Sequence, residues 1–161
     1  WTSTFVNEEL AVSARMALII LSLYWLGMML ARLVLETLLR NAPPVKTLYF
    51  CITTGIAGAL VLLLTRNVAL AGAGVFLLGV GFAATFPVVL GFVGERYAEL
   101  SGTAFSLAIA MALCGGMLLP WLAGILGGAY GMRGSFIIVP AALVLLAAFL
   151  RILSRSVRRA A

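Results

Sequence analysis

The stretch that decides the fold is ARMALIILSLYWLGMMLARLVLETLL, residues 14–39. This apolar run exceeds the roughly 20 residues that a helix needs to cross about 30 Å of hydrocarbon. It nevertheless carries Arg32 and, four residues later, Glu36, a spacing at which the two side chains can pair on a helix. An arginine at the bilayer centre costs about 2.5–3.5 kcal/mol. Two interpretations follow: Arg32 extends to the nearby interface, or it faces a neighbouring helix or an aqueous path.

Four further segments have the same character, and short separators join them. Each segment is continuously apolar, whereas the strands of a membrane barrel would alternate between apolar and polar residues over about ten positions. The sequence therefore predicts an all-α integral membrane fold with five transmembrane helices. The predicted spans are residues 14–39, 47–64, 68–92, 103–126 and 135–153.

Composition supports a membrane protein and disfavours an enzyme. The 161 residues are 64% hydrophobic and 10% charged, with a mean hydropathy of +1.19, so polar groups cannot cover a soluble surface. The chain contains neither histidine nor aspartate. Serine–histidine sites, aspartyl dyads and histidine-based metal sites are thus unavailable, and we expect no enzyme activity, metal or cofactor. Cys51 and Cys114 lie in apolar runs, which predicts buried free thiols rather than a disulfide.

The distribution of basic residues predicts the orientation in the membrane. Seven basic residues fall on one side of the predicted spans and three on the other, and the richer side is expected to be cytoplasmic. The N-terminus is then outside and the C-terminus inside. This topology explains the net charge of +6 without a nucleic-acid partner. The cytoplasmic set is Arg40, Lys46, Arg96, Arg151, Arg155, Arg158 and Arg159, and the opposite set is Arg15, Arg66 and Arg133.

Small residues and prolines predict how the helices pack and bend. Glycine and alanine are frequent in the second, third and fourth spans, which allows helix backbones to approach closely in lipid. Pro87 and Pro120 each remove a backbone hydrogen bond and predict kinks. The first and fourth spans also share the pattern G-M-x-L-x-x-L, beginning at Gly27 and Gly116, as expected for repeated helix blocks in a transporter.

Helical periodicity divides the first span into two faces. Trp25, Met29, Arg32 and Glu36 form one stripe, while the small residues Gly27 and Ala31 lie on the opposite side with Val34. One face is therefore suited to helix packing, and the other carries an aromatic ring and two charges.

Four segments resemble helices of the major facilitator superfamily, of the type found in fucose-permease-like sugar:proton symporters. SLYWLGMMLARLVLETLLR (residues 22–40) is similar to the eighth helix, and GVGFAATFPVVLGFVGERYAELSGTAFSL (79–107) to the tenth helix and its loop. MALCGGMLLPWLAGILGGAYGMRGSF (111–136) resembles the eleventh helix, and WTSTFVNEEL (1–10) the outer end of the seventh. The loop LLRNAPPVK (38–46) departs from the family pattern, because it lacks an aspartate and a second arginine pair.

The resemblance covers essentially the whole chain and implies an architecture. Residues 1–161 would be a partial C-terminal transmembrane domain, helices eight to twelve of a twelve-helix carrier, whose N-terminal half is the partner. Helices nine and twelve, here the second and fifth spans, would pack outside the substrate cavity.

The resemblance also implies the site residues. Arg32 and Glu36 would lie at a cytoplasmic gate. The side chains that could line the cavity are Tyr24, Trp25, Phe82, Phe86, Phe105, Ile109, Met111 and Trp1, with Cys114 and Thr2 nearby.

The function implied is secondary active transport of a small solute by alternating access. Aromatic rings stack on sugar faces, so a sugar is the first candidate substrate. Proton coupling stays open, since a carboxylate at mid-membrane depth is missing from these spans. The alternatives are an efflux carrier for hydrophobic or multidrug compounds and a membrane subunit that does not transport. We expect a multi-pass protein of a bacterial plasma membrane, with lipid and a small molecule as partners.

Overall fold

The computed structural model describes residues 2–38 and 43–160, with side chains for residues 2–35 and 43–152. Within these ranges the chain is helical, and no β-strand occurs. The helices are α1 (Thr2–Glu9), α2 (Ala14–Leu38), α3 (Pro44–Leu64), α4 (Val68–Phe82), α5 (Thr85–Arg96), α6 (Ser101–Phe136) and α7 (Ile138–Ala160), with a 3-10 turn at Ala98–Leu100 before α6.

Four helical stretches of the described chain are long and apolar enough to cross a membrane. They are Ala14–Leu35, Pro44–Leu64, Val68–Arg96 and Ala98–Phe136. The apolar part of α7, Ile138–Ile152, is shorter than these four. The all-α membrane fold is therefore confirmed, and the fifth predicted span corresponds to the shorter helix.

Local sequence sets the tight connection between α3 and α4. α3 ends at Leu64, and Thr65 is already extended, with φ −90° and ψ 150°. Asn67 caps α4, because its side-chain oxygen accepts hydrogen bonds from the backbone N–H groups of Ala69 and Leu70 at 2.9 and 3.3 Å. A separator as short as TRN thus returns the chain antiparallel to α3.

The third predicted span, residues 68–92, is divided into two helices. α4 ends at Phe82 and α5 begins at Thr85, with Ala83 and Ala84 in a turn between them. Pro87 lies four residues after Ala83. Proline has no backbone N–H to donate to the carbonyl oxygen of Ala83, and the proline ring clashes with that carbonyl in a regular helix. The kink predicted from Pro87 is confirmed, and it takes the form of a helix break one turn upstream.

The other kink lies away from the predicted proline. α6 continues through Pro120 and through the predicted separator GAYGMRG, residues 128–134, to Phe136. Its non-helical backbone is at Gly131, with φ 76° and ψ 174°, a region open essentially to glycine alone. The separator expected as a loop is therefore a kinked helix.

α4 is the central helix and packs mainly against α3 and α2. Toward α2, a Cβ added at Gly79 would collide with the carbonyl oxygen of Tyr24, and one added at Gly27 would collide with the carbonyl oxygen of Phe76. Only glycine at these positions permits so close an approach of the two backbones. The small-residue packing predicted from the sequence is thus present between α2 and α4.

The contact between α4 and α3 is built in the same way. A Cβ at Gly58 would lie 2.7 Å from the carbonyl oxygen of Gly74, and a Cβ at Gly81 would collide with the Cα of Gly55. Around this three-helix contact, α7 packs on α3, and α1 packs on α2 and the end of α6. The main core joins Phe5 of α1 to residues of α2, α3 and α4 and to Phe136.

Candidate functional site

The aromatic pair Tyr24–Trp25 lies midway along α2. Its rings meet edge to face, with centroids 5.4 Å apart and an interplanar angle of 84°. Tyr24 packs against the main core, whereas Trp25 is 63% exposed. Because Gly27 holds the opposite face of α2 against α4, Trp25 projects from the face directed away from α4.

Phe82, the last residue of α4, occupies a different environment. It packs against both hydrophobic clusters of the core and lines an apolar cavity of about 340 Å³. The remaining wall comes from α6 and α7, including Pro120 and Leu143. The fifth predicted span, which the resemblance places outside the site, therefore borders the cavity beside Phe82.

The other predicted cavity residues lie on α5 and α6. Phe86 is exposed near the start of α5. Phe105 is half-buried against α5, where a Cβ added at Gly94 would lie 3.1 Å from its ring. Ile109 and Met111 are exposed on α6. Among the described residues no ring contact joins Phe86 or Phe105 to Trp25, and Ile109 and Met111 are exposed, so the structure does not gather these side chains into one enclosed site.

Three further predictions have separate outcomes. Trp1 and the side chain of Glu36 lie outside the described residues, and the pairing of Glu36 with Arg32 stays a prediction. Cys51 is buried and free, as predicted. Cys114 is free but exposed on α6, so its predicted burial is wrong. The apolar run around Cys114 faces outward instead of packing in the core.

Arg32 contacts the break between α4 and α5. Its Nε donates a hydrogen bond of 3.2 Å to the carbonyl oxygen of Ala83, a buried residue in the turn. The charge in the apolar run of α2 thus has a partner on a neighbouring helix. Of the two interpretations from the sequence, the structure favours the contact with another helix.

A second arginine, Arg133, joins three elements at the other end of the bundle. Its Nε donates to the carboxylate of Glu9 at 2.6 Å. Its two terminal nitrogens donate to the carbonyl oxygens of Leu63 and Thr65 at 3.2 and 3.1 Å. Arg133 therefore caps the C-terminal end of α3 and ties it to α1, a favourable site for a cation at a helix C-terminus.

The two arginine contacts lie in opposite halves of the bundle. Arg32 is 18 residues beyond Ala14, the start of α2, which at 1.5 Å per residue is about 27 Å along the helix. Arg133 lies level with Glu9, close to that start. The sequence analysis did not predict the Arg133 contact. The signal available for it was that Glu9 and Arg133 are both predicted on the same side of the membrane.

Comparison with protein families decides the class of the protein. The family model described as Major Facilitator Superfamily matches residues 1–161. The chain belongs to the major facilitator superfamily. No curated protein and no solved structure matches the chain. As a member of this superfamily with several membrane-length apolar helices, the protein is a multi-pass integral membrane transporter, which meets lipid and small-molecule substrates.

Proposed function

We propose that this transporter moves a small neutral solute, with a sugar as the first candidate, by alternating access. In this proposal the chain forms helices eight to twelve of a twelve-helix carrier of the fucose-permease-like type, and its N-terminal half completes the cavity. The observation that carries the proposal is Trp25, a large amphipathic ring left 63% exposed at the middle of a membrane-length helix. Tyr24 holds that ring edge-on, which gives it a defined orientation for stacking.

The remaining candidates support a neutral substrate. Phe86, Phe105, Ile109 and Met111 offer aromatic or aliphatic surface without charge. Ligand sites are mostly apolar, with a few polar groups that fix orientation, and the Tyr24 hydroxyl and the Trp25 indole N–H can supply such groups. Phe82 belongs to the same proposed surface, and it also lines the apolar cavity beside α7.

The sidedness proposal rests on the basic residues. The contacts of Arg133 with Glu9 and Thr65 place the start of α2, the end of α3 and the end of α6 together. Arg15 and Arg66 lie at this same end, which has the fewer basic residues and is proposed to face outward. Arg32 then lies toward the cytoplasm, and with Glu36 it forms the proposed cytoplasmic gate. The C-terminus is cytoplasmic, in a bacterial plasma membrane.

Counterflow of labelled sugars by the full-length protein in proteoliposomes tests the proposal. We expect saturable counterflow, and we expect Trp25→Ala to raise KM about tenfold, since an aromatic contact is worth on the order of 1.5 kcal/mol. Trp121→Ala is the matched control, because Trp121 is 61% exposed on α6 but is not among the proposed site residues. Unchanged KM in Trp25→Ala, or equal effects of both substitutions, would remove Trp25 from the site. Accumulation driven by an imposed pH gradient tests proton coupling in the same vesicles.

A second candidate function is efflux of hydrophobic compounds. The observation that favours it is the cavity beside Phe82, whose described lining residues are all apolar. Saturable efflux of a lipophilic dye, sensitive to Phe82→Ala and indifferent to sugars, would favour this function. Absence of both fluxes in a folded preparation would instead support a membrane subunit that does not transport.

A further inference from the structure

We propose that Arg32 replaces the hydrogen-bond donor that Pro87 removes, and that this contact sets the bend between α4 and α5 during transport. Arg32 is then a positioning residue, which acts through the break and not on the substrate. The inference deepens the proposed function, since a bend that changes during a cycle presupposes a carrier.

Register in the helix is the first argument. In a continuous helix the carbonyl oxygen of Ala83 would accept the N–H of residue 87, four positions later. Residue 87 is proline and has no N–H. The Nε of Arg32 lies 3.2 Å from that same carbonyl oxygen. Prolines are tolerated inside membrane helices when neighbouring groups satisfy the freed carbonyl, and a guanidinium forms a charge-assisted hydrogen bond with it.

The other polar groups of the break have partners within α4 and α5. The Thr85 hydroxyl donates to the carbonyl oxygen of Gly81 at 3.2 Å. The backbone carbonyl oxygen of Ala84 accepts a hydrogen bond from the N–H of Val88 at 3.0 Å. The carbonyl oxygen of Ala83 has its contact with α2 instead.

The two sides of the break differ in how firmly they are held. α4 is fixed by backbone contacts through Gly79 and Gly81 up to the break. α5 has no buried residue along its whole length, and a Cβ added at Gly91 would meet nothing within 4 Å. Because α4 is fixed and α5 is weakly packed, a single hydrogen bond at the break between them can change the angle of α5. The Arg32 contact lies at that break.

A double-mutant cycle tests the proposal, because Pro87→Ala restores an N–H that can bond to Ala83 within the helix. Spin labels at Ala73→Cys on α4 and Gly91→Cys on α5 report the bend, since both positions are exposed. Cys114→Ser removes the exposed native thiol, whereas Cys51 is buried and stays in place. The measurements use the full-length protein in proteoliposomes.

We expect Arg32→Met to broaden or shift the distance distribution between the labels and to lower the transport rate about tenfold, as for loss of a hydrogen bond to a charged group. In the Pro87→Ala background we expect the same substitution to change neither the distances nor the rate. Arg15→Met is the control, because it removes an exposed cation from the start of α2, far from the break.

Other outcomes overturn the proposal. Unchanged distances in Arg32→Met, or an equal effect of that substitution with and without Pro87, would show that Arg32 does not act through the Ala83 carbonyl. If Arg32→Met alone does not fold, recovery of folded protein by adding Pro87→Ala supports the proposal, and failure to recover it counts against it. The distance measurement needs no substrate, so failure of the proposed function appears separately, in the counterflow assay.

Discussion

α4 and α6 contain similar residues and have opposite surroundings. Both are apolar helices with several glycines. In α4 the glycines at positions 74, 79 and 81 meet the backbones of α2 or α3 at contact distance, and seven of its 15 residues are buried. In α6 an added Cβ at Gly115, Gly116 or Gly128 would meet nothing within 4 Å, and most of that helix is exposed.

The difference shows that glycine serves two purposes in one membrane bundle. In α4 it removes side-chain volume where two backbones cross, which gains dispersion contact in lipid. In α6 the important glycine is Gly131, which supplies a backbone conformation rather than space. Its kink lets Arg133 reach α1 and α3 while the body of α6 extends away from them. Substitutions of single residues can separate these two roles.

The largest effect is expected for Gly79→Ala. Its added Cβ would overlap the carbonyl oxygen of Tyr24, a backbone atom that cannot move without displacing α2. We expect destabilisation of about 3 kcal/mol, the upper range for overpacking, measured as a lower midpoint of thermal unfolding in detergent. Gly72→Ala is the control on the same helix, because its Cβ would meet only the movable end of Leu23, at 3.1 Å. Equal midpoints for the two variants would contradict the close backbone contact.

Arg133→Met is expected to have the next largest effect. It removes three hydrogen bonds, including a 2.6 Å contact with Glu9, where the two side chains are 30% and 25% exposed. We expect a loss of about 2 kcal/mol in unfolding free energy, mainly because the carbonyl oxygens of Leu63 and Thr65 lose their donors. Glu9→Gln keeps those two contacts and should cost less than about 1 kcal/mol, as for a partly exposed ion pair. A larger loss for Glu9→Gln than for Arg133→Met would reverse this assignment.

Gly131→Ala tests the conformational role of glycine apart from packing. Nothing lies within 4 Å of an added Cβ there, so the cost comes from the backbone at φ 76° and ψ 174° alone. We expect destabilisation of about 1–2 kcal/mol and a weaker effect of salt on the unfolding midpoint, because the kink that brings Arg133 to Glu9 is disturbed. Gly128→Ala, in open space and helical, should leave the midpoint unchanged. A neutral Gly131→Ala would mean that the kink does not require glycine.

Local properties of the sequence predicted the apolar spans and the kink at Pro87. Hydrophobic length identified the spans, and the missing N–H of Pro87 indicated a kink, since both effects act within a few residues. Gly131 was not predicted, because a positive φ depends on the path that tertiary contacts impose. The pairing of Glu9 with Arg133 joins residues 124 positions apart and has no local signature.

The same distinction between local effects and tertiary contacts applies to the predictions for the candidate site. The helical stripe placed Trp25 opposite Gly27, and Trp25 is exposed while Gly27 meets α4, although Arg32 of the same stripe reaches the break between α4 and α5. Periodicity could not show that Phe82 lies beside α7, since that contact depends on how α6 and α7 meet. The sequence likewise could not identify the partner of Arg32, because that partner is a backbone carbonyl, a group that every residue has.

The smallest effect is expected for Gly116→Ala, the same chemical change as Gly79→Ala on the opposite kind of surface. An added Cβ has open space around it, and alanine favours a helix over glycine by roughly 0.5–1 kcal/mol. We expect an unchanged or slightly higher unfolding midpoint in detergent. A marked loss of stability would show that another helix packs closely on α6 at this point in the folded protein. In that case the contrast between α4 and α6 would not hold, because both helices would use glycine for close packing.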